Sequence, residues 1–486
     1  MKEDRQYKQP TFTESLLPIL FMVFVLSVGI GVLSWPASVC LLLSAAFTGA
    51  IAVIRLGYNW DGIQQFIVDK IAAVMPPVLI VIFVGFMIAT WSYAGTLPMM
   101  VYYGMQLLDP SYLFAIAFIL NAILSYVSGA SWGSVASIGV ALIGIGTGLG
   151  ANLPMLAAAI VTGAYFGDKL SPLSDTTNLT SAVTQTKLYD LIKYLLWTTI
   201  PATLISIVFF LFLGFSQPSQ GAISADSLQL LVQLHSLFKF GILPLLPMLI
   251  ILAFTFLRLP TVPALLSSAL VAVLVGWLYQ GFPLIEGVKS TMGGFKMHMI
   301  GADPAQVLSS VKELLEQGGL NNQGGFIAFI ICAMGFAGIL TGTGMMDVAL
   351  RGITGKITNG FSAIMSSGFV CIVINILTGS DGLNKIIVSE LMGKKFLQLR
   401  MHPLVLARTL EDFGTMSAPI IPWAAAGLYM ATTLGVPTFS YMPYCIFFYS
   451  SMVFAAVYGF TGFKIRMIDD EEAQQLAEER GILLTQ

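Results

Sequence analysis

Two aspartates, a lysine and six hydroxyl groups occur in "YFGDKLSPLSDTTNLTSAV" (165–183), between the apolar runs "MLAAAIVTGA" and "LIKYLLWTTIPATLISIVFFLFLGF". A charge carried to the centre of a bilayer costs about 3 kcal/mol or more, so such a residue marks a use. Gly167 and Pro172 bracket Asp168, Lys169 and Ser171, and neither favours a continuous helix, so Asp168 is expected inside a break. A helix interrupted within a membrane frees N–H and C=O groups that must find partners. Carbonyls together with Ser, Thr, Asn and Asp oxygens form a hard ligand set suited to a small cation, without the thiolate or imidazole a transition metal prefers. Asp175 and Asn178 are spaced i,i+3 and share a face after the break, where they can join Ser171 around one ion. Asp168 has Lys169 as a sequence neighbour, so part of its charge is already compensated. Asp175 is therefore the first choice for the titrating carboxylate.

Two further polar stretches can meet such breaks. "SGASWGS" (128–134), with Ser131, approaches the first break from the opposite side. "TGSDGLN" (378–384) brings Ser380, Asp381 and Asn384 toward "DFGTMSAP" (412–419), which carries Thr415 and Ser417. Arg408, Glu411 and Asp412 precede that second break by less than two turns. The expected division is an ion site in the first half and a coupling or gating charge cluster in the second. Competing readings are an Asp168–Lys169 ion pair that merely holds a kink, and a membrane-facing loop for Glu411 and Asp412. Glu390 with Lys394 and Asp347 with Arg351 read as i,i+4 surface pairs. The run "GIGTGLG" (144–150) lies on an apolar arm, so it serves close helix packing rather than a nucleotide.

The elements that hold these residues are membrane spans. Of the 486 residues 56% are hydrophobic and only 10% charged, and the mean hydropathy is +0.85. Soluble domains carry about 25% charged residues, so the chain is an integral membrane protein with many spans. A net charge of −2 gives no basis for nucleic-acid binding. The four cysteines lie in apolar runs at unrelated spacings and read as core residues. The three histidines form no cluster, and no nucleophile–base pair stands out, so an enzyme is disfavoured and no cofactor is expected. The polar start shows no cleavage-site pattern after the first span, and no cleaved signal peptide is expected.

The chain also repeats itself. In the same order, the stretch from Pro36 matches that from Pro260, "AGTLPMM" matches "TGTGMM", "SGASWG" matches "TGSDGL", and "YFGDKLSP" matches "DFGTMSAP". Each half parses as a span, a proline, a second span, an amphipathic segment, a third span with Gly-Thr breaks, a two-armed hairpin, an interrupted run and a final span. With a re-entrant hairpin each half crosses five times, and an odd count inverts the second half relative to the first. The boundaries are a cytoplasmic segment 1–14, repeats 15–214 and 238–463, an external linker 215–237 and a cytoplasmic tail 464–486. The charge distribution fits. Inside segments hold Lys2, Arg5, Lys8, Arg55, Lys70, Lys187, Lys193, Arg258, Arg351, Lys356, Lys394, Lys395, Arg400, Lys464, Arg466 and Arg480, and outside loops only Lys239, Lys289, Lys296 and Lys312. Lys169, Lys385 and Arg408 remain, each beside a break. The fold class is thus all-α, with two inverted repeats of about five spans, re-entrant hairpins and broken helices.

"YFGDKLSPLSDTTNL", "SGASWGSVASIGVALIGIG" and "ATWSYAGTLPMMVYYG" resemble patterns of the NhaC family of Na+/H+ antiporters, over nearly the whole chain and most specifically at the first break. The resemblance implies secondary active transport at the bacterial plasma membrane, often by a homodimer. It implies Na+ and H+ as the transported ions and a cation role for Asp168, Ser171, Ser174, Asp175, Thr176 and Asn178. Relatives in that family exchange malate plus protons for lactate plus sodium, so a small carboxylate is a possible partner, for which Lys169, Lys385 or Arg408 would be the fixed cation. A passive channel is disfavoured by the broken, repeated halves.

Overall fold

The computed structural model describes residues 7–479 apart from 32, 34, 74, 217–224, 258 and 355–356. The expected external linker and both chain ends fall partly on the remaining residues and so lie outside the described ones. The described chain is helical throughout, with one isolated bridge between Met401 and Met467. Among the described residues seven helices are long and apolar enough to cross a membrane, including Ala37–Ile54, Leu188–Ser216 and Gly360–Thr378; two bent pairs bring the number to nine. This is a multi-pass membrane protein. Both arms of the first hairpin, Pro110–Ser128 and Ser131–Gly148, are among the seven.

The element boundaries follow the sequence pattern closely. The third span of the first half is two helices bent by 73°. The hinge is Gly95, whose φ of 78° is left-handed backbone that glycine adopts without strain. The carbonyl of Ala94 freed there accepts a hydrogen bond from the Gln280 side-chain amide at 3.0 Å. That amide also donates to Lys239 O at 2.9 Å, and Gln280 Oε1 accepts from the Lys239 N–H at 2.8 Å. The bend thus keeps its polar groups satisfied, as an apolar surround requires.

Two compact units emerge, and they are not the two sequence halves. One comprises residues 1–78, 325–426 and 458–486, the other 79–324 and 427–457. Each half contributes to both units, and each unit contains one hairpin and one break. In the second unit the arm Leu113–Ser128 lies along the helix Leu153–Leu170 at close range. A Cβ on Gly163 would strike the Phe118 backbone, and one on Gly167 would strike Tyr126 N and Ala122 O. These glycines are small-residue packing positions of the kind that lets membrane helices approach. Gly167 is accordingly within the helix, not at its interruption, which comes four residues later. In the first unit the corresponding parts are the arms Gly360–Thr378 and Asp381–Gln398 and the helix Pro403–Thr409, which continues as a π-helix, Leu410–Thr415. A tail helix, Asp470–Glu479, packs Ala473 and Ala477 against Leu397 and Ile468.

Candidate ion-binding site

The helix Leu153–Leu170 ends where Ser171 turns to extended backbone, and a new helix, Asp175–Val183, starts behind the N-cap Ser174. Asp168 stands in the last turn before the break and is 2% exposed. Each of its carboxylate oxygens accepts a hydroxyl proton. Ser174 donates to Oδ1 at 2.6 Å, and Ser131 to Oδ2 at 3.2 Å. Ser131 is the first residue of the returning hairpin arm, brought there by the tip glycine Gly129, which has φ 72° and packs against the Leu173 backbone. The hairpin tip and the break therefore close on one carboxylate.

The rest of the motif satisfies the interruption. Ser174 Oγ also accepts the Thr177 N–H at 3.4 Å and lies 2.9 Å from the Thr176 hydroxyl. Thr177 donates to the carbonyls of Asp168 and Lys169 at 3.3 and 3.2 Å, which the broken helix leaves without helical N–H donors. Buried Ser171 accepts the Leu173 N–H at 3.2 Å. Asn178 Nδ2 donates to Pro172 O and Ser174 O at 3.0 and 2.6 Å. Lys169 is fully buried, and its ammonium donates to Ser451 at 2.7 Å.

This arrangement differs from the expected one at the carboxylate. Asp175, placed by sequence with Ser171 and Asn178 around one ion, is exposed, and its Oδ1 accepts the neighbouring Thr176 N–H at 3.0 Å. It opens the second half-helix, where a negative charge complements the helix dipole. Asn178 is exposed too, and its amide is bonded to backbone. The buried oxygen cluster is centred on Asp168 instead.

The second break has the same parts in a different arrangement. Gly379, φ 68°, turns the hairpin tip, and Ser380 caps the returning arm by accepting the Leu383 N–H. Asp381 opens that arm with its side chain 33% exposed, and Lys385, fully buried, lies one turn on. The Lys385 ammonium is 3.8 Å from Asp381 Oδ2 and 3.8 Å from Glu411 Oε1. Glu411 Oε2 accepts the Thr415 hydroxyl at 2.7 Å. Glu411 and Asp412 are fully buried, so they do not lie on a membrane-facing loop. Beneath them Asn384 Nδ2 donates to Asn375 Oδ1 at 2.6 Å, and Asn375 Nδ2 donates to Gly414 O and Ser417 Oγ at 2.7 and 2.8 Å. A side chain at Gly414 would collide with Asn384 Oδ1, only 2.5 Å from the Cβ position.

Arg408, expected to act at the approach to this break, is 1% exposed, donates to Lys464 O at 3.1 Å and lies 5.7 Å over the Tyr458 ring. It fastens the segment leading into the tail. From sequence, Asn375 goes unnamed, and Lys385 and Glu411 are placed beside the break but not paired with each other. Asn375 is a lone amide in an apolar run, with no local signal. Lys385 and Glu411 carried one: Asp381–Lys385 and Glu411–Thr415 are both i,i+4, so each pair shares a helix face.

The sequence profile of the Na+/H+ antiporter family matches residues 163–463, which include both breaks. Curated relatives span nearly the full length. The arginine/ornithine antiporter ArcD of Halobacterium salinarum is 33% identical, covering 96% of this chain and 96% of its own. The malate-2H(+)/Na(+)-lactate antiporter of Bacillus subtilis is 32% identical, covering 94% and 96%. The Na(+)/H(+) antiporter NhaC of Alkalihalophilus pseudofirmus is 31% identical, covering 92% and 93%. With its break motifs inside the profile and its whole length matched by such transporters, this chain belongs to the Na+/H+ antiporter family.

Proposed function

We propose that the protein exchanges cytoplasmic Na+ for external H+ by alternating access in the bacterial inner membrane, as a homodimer, with Asp168 as the Na+-binding carboxylate. The observation that carries this reading is the buried Asp168 carboxylate, met by hydroxyls from both the hairpin tip and the half-helix after the break. A carboxylate with serine and threonine oxygens offers a dehydrated small cation hard ligands. The hydroxyls that now donate to it can rotate to present lone pairs instead. Homodimerisation and the inner membrane rest on the family resemblance and the basic-residue asymmetry.

Exchange of a small carboxylate is the second reading, favoured by the two buried lysines. Lys385, however, lies between two carboxylates and Lys169 is bonded to Ser451, so neither stands as an isolated anion receptor. The decisive assay uses purified protein in liposomes under opposed Na+ and pH gradients, with and without malate, lactate, arginine or ornithine. Proton movement driven by Na+ alone supports antiport of the two ions. Movement that appears only with an organic solute overturns it in favour of the second reading. Asp168→Asn should abolish Na+-driven proton movement in folded protein, and Asp175→Asn should retain it; the reverse outcome returns the assignment to Asp175.

A further inference from the structure

We infer that the transported proton is held at a separate site, the Asp381–Lys385–Glu411 cluster, rather than on the Na+-binding carboxylate; this rests on the antiport reading above. The fully buried Lys385 ammonium stands 3.8 Å from each of two carboxylates carried by different elements. Asp381 belongs to the hairpin arm and Glu411 to the π-helix before the break. Two acids share one base, so the fully ionised group carries excess negative charge in an apolar interior, and one bound proton cancels it. Interacting groups this close take up that proton as a unit.

The two acids differ in access. Asp381 is one-third exposed and can exchange protons with the medium, whereas Glu411 is sealed. Lys385 stands between them, 3.8 Å from each. Glu411 is held for this role by the Thr415 hydroxyl at 2.7 Å. The wide turn of a π-helix, a feature frequent at functional sites, places it. The remaining groups around the cluster are Cys371 on the incoming arm, within electrostatic reach of both Lys385 and Glu411, and buried Asp412. Arg408, on the same broken helix, is directed to the Lys464 carbonyl.

The same geometry couples the proton to movement. With Glu411 ionised, Lys385 ties the hairpin arm to the broken helix. With Glu411 neutral, the ion pair that Lys385 makes across to the broken helix is weakened while the pair within its own arm remains. Protonation thus changes how the hairpin is fastened to the break.

The test separates two partial reactions in liposomes: exchange of external 22Na+ for trapped Na+, and Na+-driven proton movement. In Glu411→Gln, Na+/Na+ exchange should persist while Na+-driven proton movement falls by about tenfold or more, a typical size for loss of coupling between two ligands. Normal proton movement in that variant overturns the assignment, and so does loss of both reactions in monodisperse protein. If Glu411→Gln does not fold, Asp381→Asn serves, at a partly exposed position. A displaced pH profile of proton movement with Na+/Na+ exchange intact supports the cluster, and an unchanged profile overturns it. Wild-type liposomes that move no protons on a Na+ gradient would instead overturn the antiport reading itself.

Discussion

Ser131 and Ser174 both donate to Asp168, yet they do different work, and this makes them a matched pair of probes. Ser174 also caps the helix Asp175–Val183 through the Thr177 N–H. Ser131 has no side-chain cap to lose, because the short turn it opens is capped by no side chain. Ser174→Ala should therefore lower both thermal stability, by about 1 kcal/mol, and Na+ affinity. Ser131→Ala should leave the melting temperature near the wild-type value and weaken apparent Na+ affinity by about tenfold, the worth of one hydrogen-bonding oxygen at a charged site. Transport titrations and melting curves on the same preparations check both. Equal stability losses for the two variants would mean that Ser131 is part of the packing rather than of the site.

At the scale of elements, the first site depends on how closely two helices approach. Asp168 faces the hairpin tip because the arm Leu113–Ser128 can lie against the helix Leu153–Leu170 at Gly163 and Gly167. Gly167 reads in sequence as one edge of the interruption. Within the folded chain both glycines are helical, and their lack of a side chain serves contact. Gly163→Ala would press a methyl group on the Phe118 carbonyl, and the backbone there cannot rotate away as a side chain could. Overpacking of this kind costs about 1–3 kcal/mol, so a lowered melting temperature is expected, accompanied by weaker Na+ binding as Ser131 moves off Asp168. Unchanged stability would show that the arm can retreat without consequence. The second cradle uses a different device for the same end, an amide ladder from Asn384 through Asn375 to Gly414 and Ser417.

For the whole molecule, the repeat and its orientation are the open proposal. The two expected sequence halves and the two compact units cut the chain differently. If each half crosses an odd number of times, the termini share a side, and the basic-residue asymmetry makes that side the cytoplasm and puts position 219 outside. On a cysteine-less background, Ser219→Cys should be labelled by a membrane-impermeant thiol reagent in intact cells. Labelling confined to inside-out vesicles would reverse the topology and with it the parity of the repeats.

The apolar helices, the interruptions at both breaks and the family were legible in the sequence, because apolar runs, prolines and polar insertions are local signals. Helix ends agree with the sequence pattern to within a few residues through most of the chain, as at Ala37–Ile54 and Asp381–Gln398. Which carboxylate is buried was not legible. Asp168 and Asp175 lie seven residues apart in one motif, and only the packing of the hairpin tip on the break distinguishes them. One receives hydroxyls from two elements and the other is left to solvent and a helix N-terminus. The Lys385–Glu411 pair was hidden for the same reason. Its members are 26 residues apart in sequence, and a contact at that separation is decided by tertiary structure, where burial compels charges to find partners that local spacing does not reveal.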